Sequence, residues 1–120
     1  GLGDVYKRQT ENAVLEFLRA GPELSVDALV RLYAPDLTLP AFSLLVSRWA
    51  HDLMRSALGL QPRYFIDENA VIERLAAHTD AKRAAGFCTQ ALSCRRAADH
   101  TLNPKQTVES VLLRYKQIFQ

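Results

Sequence analysis

The sequence is poor in cysteine, and what it has cannot easily form a disulfide. Only Cys88 and Cys94 occur in 120 residues. On a helix, residues six apart point about 240° away from each other, so we do not expect an intrachain disulfide. We interpret both residues as small apolar side chains that fill space in a core. So little use of cysteine is typical of a reducing compartment, and we expect a cytoplasmic protein.

The sequence also lacks the short motifs that mark common catalytic sites. It contains no Gly-rich phosphate loop, no H-E-x-x-H, no C-x-x-C and no G-x-S-x-G. Its three histidines, His51, His78 and His100, are too far apart for any two to share one helical face. Neighbouring His51 and Asp52 point about 100° apart on a helix, which disfavours a catalytic pair. We therefore expect no enzyme activity, cofactor or metal in this segment.

Charge and hydrophobicity are both moderate. The net charge is +2, and 23% of residues are charged. Nucleic-acid-binding domains usually carry a denser basic patch, whereas Lys82-Arg83 and Arg95-Arg96 are diluted by Asp80 and Asp99. No apolar run reaches the length that a membrane-spanning helix needs, so we expect no membrane contact.

The first nine residues differ in character from the rest. The sequence GLGDVYKRQ has no Met and is similar to a translated sequencing-adapter remnant. We expect residues 1–9 to be a non-native leader. Residues 10–120 are then expected to form one helical domain that is a fragment of a longer chain.

Apolar residues recur at helical spacing throughout the chain, and no segment alternates as a strand does. The periodicity predicts an all-α fold, a compact bundle of five to six helices. The third helix, over residues 40–58, is apolar on most sides and should be central. Gly86 in the fifth helix suggests close packing of a neighbour. The predicted N-caps of the second, fourth, fifth and sixth helices are Ser25, Asp67, Asp80 and Asn103.

The sixth helix carries the strongest apolar stripe. Asn103 is a favourable N-cap, and Pro104 fits the first helical position, where a missing N–H costs nothing. An apolar stripe this continuous must be covered, either by this chain or by a neighbouring one. Its members are Val108, Val111, Leu112, Tyr115, Ile118 and Phe119.

Two blocks of sequence carry a resemblance to a known family. The first is residues 46–55, VSRWAHDLMR, followed by Gly59 and by Tyr64-Phe65. The second runs from RRAADH at residues 95–100 through LNP at 102–104 to LLRY at 112–115. Together they resemble the C-terminal (collar) domain of the delta-prime subunit family of bacterial DNA polymerase III clamp loaders. The similarity covers about residues 40–120. It departs from the family pattern at Thr101, Lys105, Gln106 and Thr107.

The resemblance implies an oligomerisation module. In that family, helical C-terminal domains of five subunits pack into a closed collar within the DNA polymerase III holoenzyme, a DNA-directed DNA polymerase. The implied partners are other clamp-loader subunits, gamma/tau and delta. The sliding clamp and primed DNA would be reached only through N-terminal modules that are absent here. The related gamma/tau subunits carry a similar domain and remain an alternative.

The resemblance also suggests which side chains contact other subunits. Trp49 is either the centre of the core or an anchor for a partner. Asp52 and Arg55 either pair locally, three residues apart, or reach across an interface. A small helical nucleic-acid-binding domain is the alternative from another functional class. The full set of candidate interface residues is Trp49, Asp52, Arg55, Asn103, Arg114, Tyr115 and Phe119.

Overall fold

The computed structural model describes residues 2–31, 38–97 and 103–119, and in these residues it contains helices and no strand. The prediction of an all-α bundle of five to six helices is confirmed. Short 3-10 turns lie at Gly21–Glu23 and Ile66–Glu68. The described residues form six α-helices: α1 Leu2–Ala20, α2 Val26–Arg31, α3 Leu39–Ala57, α4 Asn69–Ala76, α5 Ala81–Ala97 and α6 Pro104–Gln117.

The central element is α3, as its apolar sequence predicts. It packs most extensively against α5 and also contacts α4, α1 and α6. It begins after Thr38, whose hydroxyl accepts a hydrogen bond from the N–H of Ala41 at 3.3 Å. It ends before Gly59, whose φ of +81° is a conformation that glycine adopts without strain. The helix buries apolar side chains on several faces, namely Leu39, Phe42, Val46, Trp49, Ala50 and Leu53.

The stripe on α6 is covered by this chain itself. Val108, Leu112 and Tyr115 have no exposed surface, while Val111 and Ile118 are buried to nine-tenths or more. The covering elements include α2, α5 and the Gly21–Glu23 turn. Since a buried side chain of this size contributes roughly 1.5–3 kcal/mol, α6 is a substantial part of the core.

Three of the four predicted N-caps are confirmed. The side-chain oxygens of Ser25, Asp80 and Asn103 each accept from the backbone N–H three residues later, at 3.4, 2.8 and 3.1 Å. The prediction for Asp67 is wrong. The chain makes a 3-10 turn there, so Asp67 lies inside that turn and α4 starts at Asn69 without a side-chain cap.

The structure corrects or extends three further expectations. Gly86 is exposed, and a Cβ added there would meet nothing within 4 Å, so it marks no close packing. The first helix begins at Leu2, so the backbone of residues 2–9 continues α1; their non-native origin stays a prediction. Residues 98–102 of the second resemblance block lie outside the described residues, as does Tyr33 of the predicted second helix.

Candidate functional site

The two resemblance blocks meet in the core through one pair of hydrogen bonds. The indole N–H of Trp49 donates to the hydroxyl of Tyr115 at 2.9 Å. That hydroxyl donates in turn to the carbonyl of Leu18 at 2.6 Å. The link therefore joins α3, α6 and α1 and satisfies two polar groups that would otherwise be buried without a partner. Burial raises the pKa of Tyr115 far above its ordinary value, and the hydrogen bond from Trp49 opposes this only partly.

Aromatic rings surround this link. The ring of Phe65 lies edge-on to Trp49 with centroids 5.3 Å apart. Phe87 from α5 and Phe119 beyond α6 both pack against Tyr115, at 5.5 and 5.1 Å between centroids. Such tilted and edge-on contacts add to the stabilisation that burial alone gives. The link is thus enclosed by side chains of this chain.

A second feature of the first block is the buried carboxylate of Asp52, which has no exposed surface. It accepts hydrogen bonds from three successive backbone N–H groups, those of Arg63 at 2.8 Å, Tyr64 at 3.0 Å and Phe65 at 2.8 Å. Hydrogen bonds to a charged acceptor are stronger than neutral ones, and here they compensate for burial of the charge. Asp52 therefore fixes the loop between α3 and α4.

The predicted local ion pair between Asp52 and Arg55 is not present. Arg55 instead donates from Nε to the carbonyl of Gln61 at 2.6 Å, and it is half-buried. The two residues act on the same loop from different sides: Asp52 binds its N–H groups and Arg55 one of its carbonyls. Both therefore shape the segment that follows α3.

The expectation that Trp49, Asp52 and Tyr115 contact a partner is corrected by their burial. All three have no exposed surface and make their polar contacts within the chain. Of the two roles weighed for Trp49, the structure places it at the centre of the core. None of the three side chains reaches the surface, so each acts within the fold of this chain.

The other four candidates lie at or near the surface, and their role at an interface stays a prediction. Asn103 is exposed and caps α6, while Phe119 is half-buried beside Tyr115. Arg114 is exposed on α6 and lines a groove of about 690 Å³ between α5 and α6. Asn103 lines the same groove. Arg55 is held against the loop as described above.

The structure brings together a surface group that the sequence analysis missed. The guanidinium carbons of Arg48 and Arg63 lie 5.1 and 5.4 Å from the ring centroid of Tyr64, within the range of cation–π attraction. The imidazole of His51 lies edge-on to the same ring at 5.5 Å. We call Arg48, Arg63 and Tyr64 the cationic platform. All three are exposed, and in the described residues neither arginine forms an ion pair with a carboxylate.

Arg48 and Tyr64 of the platform also line a second groove, of about 500 Å³, and Arg63 lies beside it on the ring of Tyr64. The floor of this groove comes from α3, and Glu11 of α1 contributes to its wall. We call this the α3 groove. Its α3 side chains recur at helical spacing and lead toward Arg48; they are Pro40, Ala41, Leu44 and Leu45. The sequence contained one signal of this site, the two adjacent aromatics at positions 64 and 65, but not the approach of Arg48.

The described residues offer little that resembles catalytic chemistry. They contain no group of three His, Cys, Asp or Glu side chains placed to hold a metal ion. His51 Nδ1 lies 3.6 Å from Asp52 Oδ1, beyond hydrogen-bonding distance, and that carboxylate is engaged by the loop. Both cysteines are free thiols, and burial raises the pKa of Cys88. Among the helices described, none has the length and apolar character required to cross a bilayer.

Comparisons with protein-family models, with curated proteins and with solved structures found no match to this chain.

Proposed function

We propose that this chain is an oligomerisation domain, the collar domain of a bacterial DNA polymerase III clamp-loader subunit. Delta-prime is the favoured assignment and gamma/tau the alternative. In this role the domain acts in the cytoplasm, binds the collar domains of sister subunits and performs no catalysis. Contact with the sliding clamp and with primed DNA falls to N-terminal modules of the parent protein.

The observation that carries this proposal is the link from Trp49 through Tyr115 to Leu18. It joins the two blocks on which the resemblance rests, although they are 66 residues apart in sequence at this bond. Both blocks therefore belong to one folded unit. Their similar residues have identifiable structural tasks: Trp49 and Tyr115 connect three helices, Asp52 holds the aromatic loop, and Asn103 starts α6.

The surface supports a role in binding other proteins. Leu113 is 46% exposed on α6, and the exposed Arg114 that follows it in sequence lines the groove between α5 and α6. An exposed leucine among polar and charged side chains is common at the edge of an interface with an apolar centre and a polar rim. Heterologous contacts of a ring need two different faces per subunit, and α6 provides one of them in this proposal.

Sedimentation velocity tests the proposal with the purified chain alone and mixed with gamma/tau or delta collar domains. We expect a folded monomer alone and a complex with at least one sister domain. Arg114→Glu should weaken the complex, whereas Lys105→Glu, an exposed charge reversal on the same helix, should not. Failure to bind any sister domain would contradict the collar assignment.

One observation favours nucleic-acid binding as a second candidate function. The cationic platform places two arginines, which have no carboxylate partner among the described residues, beside an exposed aromatic ring. This combination is found where proteins bind single strands. A titration with duplex and primed DNA at several salt concentrations separates the candidates. Strong binding with a steep loss of affinity as salt rises would favour this function.

A further inference from the structure

We infer that the cationic platform and the α3 groove together form a docking site for a segment of a sister subunit, with apolar residues over the groove and a carboxylate at the two arginines. This inference rests on the proposed oligomerisation role and specifies one surface that carries it out.

The shape of the site fits a short protein segment. Ala41, Leu44, Leu45 and Arg48 are spaced as one face of α3, so the groove floor runs along the helix and ends at the platform. Leu44 and Leu45 are half-buried, which leaves part of each side chain available to a partner. An occupant lying along this floor would bury apolar surface before it reached the charged end.

The positive charge of the platform favours binding of an anionic group. The two guanidinium groups approach the ring of Tyr64 at 5.1 and 5.4 Å and have no carboxylate partner in the described part of the chain. Arginine binds carboxylates through two parallel hydrogen bonds, with strength and directionality. Tyrosine and arginine are also the residue types that most often dominate the energy of protein interfaces.

The platform is held in place before any partner binds. Asp52 binds the backbone of residues 63–65, and Phe65 packs its ring against the buried Trp49. The backbone that carries Tyr64 and Arg63 therefore needs little further ordering when a complex forms. Since ordering loops and side chains opposes association, such preorganisation favours affinity.

The same groove argues against a nucleic-acid strand as its occupant. A single strand carries a phosphate at every nucleotide, so its binding groove is basic along its length. Here Arg48 is the one basic residue among the described lining residues, the α3 residues that precede it are apolar, and the lining includes the acidic residue Glu11. A protein segment that combines apolar side chains with a terminal acid matches both halves of the site.

The test measures binding of the chain to gamma/tau and delta collar domains by isothermal titration calorimetry. We compare the wild type with Arg48→Glu/Arg63→Glu and with Lys82→Glu/Lys105→Glu, which changes the net charge equally at exposed positions elsewhere. We expect the first pair to weaken the Kd by about tenfold or more and the second by less than about twofold. Arg48→Gln/Arg63→Gln removes the same positive charges without adding negative ones. Circular dichroism of every variant shows whether a weaker Kd comes from misfolding.

A second readout identifies the occupant. A photocrosslinking amino acid at position 64 should label a sister peptide that contains apolar residues and an Asp or Glu, as read by mass spectrometry. An unchanged Kd for the platform variants, or a crosslinked peptide without an acid, would overturn the docking site while leaving the collar proposal intact. Binding of a single-stranded oligothymidine that is lost in Arg48→Gln/Arg63→Gln would also overturn it. Absence of any wild-type complex would refute both proposals.

Discussion

Replacement of Asp52 by Asn tests how strongly one buried carboxylate holds the loop after α3. The asparagine has nearly the same shape but retains only one acceptor oxygen. If that oxygen takes the place of Oδ2, it still accepts from Tyr64 and Phe65, but the amide NH₂ then faces the N–H of Arg63. One donor loses its partner, and two charge-assisted hydrogen bonds become neutral.

We expect this change to cost about 2–4 kcal/mol, because an unsatisfied buried donor costs about 1–3 kcal/mol and each weakened bond adds to that. With a urea m-value of about 2 kcal/mol per M, the unfolding midpoint falls by about 1–2 M. The native stability of such a domain is only about 5–15 kcal/mol, so the shift is large relative to the whole.

Urea unfolding followed by Trp49 fluorescence measures the effect, and hydrogen exchange at residues 63–65 shows whether the loop is released. Asp67→Asn is the matched control, because Asp67 is exposed in the turn just beyond the loop and makes no cap for α4. It should change stability by less than about 0.5 kcal/mol. A cost below about 0.5 kcal/mol for Asp52→Asn, or unchanged exchange at 63–65, would refute the proposed role of the carboxylate.

Three further substitutions test the packing of the core by urea unfolding. Leu112→Ala should cost about 2–5 kcal/mol, since Leu112 has no exposed surface. Tyr115→Phe should cost about 1–3 kcal/mol, because it removes the hydroxyl that connects an indole N–H with a main-chain carbonyl. Gly21→Ala should cost at least about 1–2 kcal/mol, because φ is +58° and the new methyl group would press on Leu75.

Each of these substitutions has a control or a second readout. Leu113→Ala, at a 46% exposed neighbour, should have little effect, and Gly86→Ala, at an exposed position of α5, should stabilise that helix by about 0.5–1 kcal/mol. For Tyr115 the second readout is the pH dependence of the unfolding free energy. Its raised pKa keeps the native state protonated where the unfolded chain ionises, so the tyrosine's contribution is present below pH about 10 and declines above it. The stability gap between wild type and Tyr115→Phe should therefore narrow above pH about 10; a constant gap would contradict this explanation.

Much of the fold was predictable from local signals. Apolar spacing identified the helices, and Ser25, Asp80 and Asn103 were correct as caps because an N-cap depends on residues three positions away. The N-cap predicted at Asp67 was wrong because the loop before α4 is fixed by Asp52, a residue of the preceding helix. Local propensity does not contain that constraint.

The candidate site was predicted less well, because whether a side chain faces a core or a partner is a tertiary property. Trp49 and Tyr115 lie on apolar stripes that would look the same in either case, and only the fold shows that they bond to each other. The cationic platform depends on the path of the loop, which brings residue 64 back to Arg48. The adjacent aromatics gave a hint of that site, but nothing local indicated its arginines.

The bond between Tyr115 and Leu18 spans 97 residues, and this has a consequence for synthesis on the ribosome. Until the segment containing Tyr115 has emerged from the exit tunnel, the indole of Trp49 has no acceptor and the faces that later receive α6 remain open to water. Nascent chains of this protein therefore expose an apolar cleft during synthesis of this domain, until α6 is available to cover it. Chaperones that bind emerging polypeptides should engage it there and release it only when the last turns of α6 have arrived.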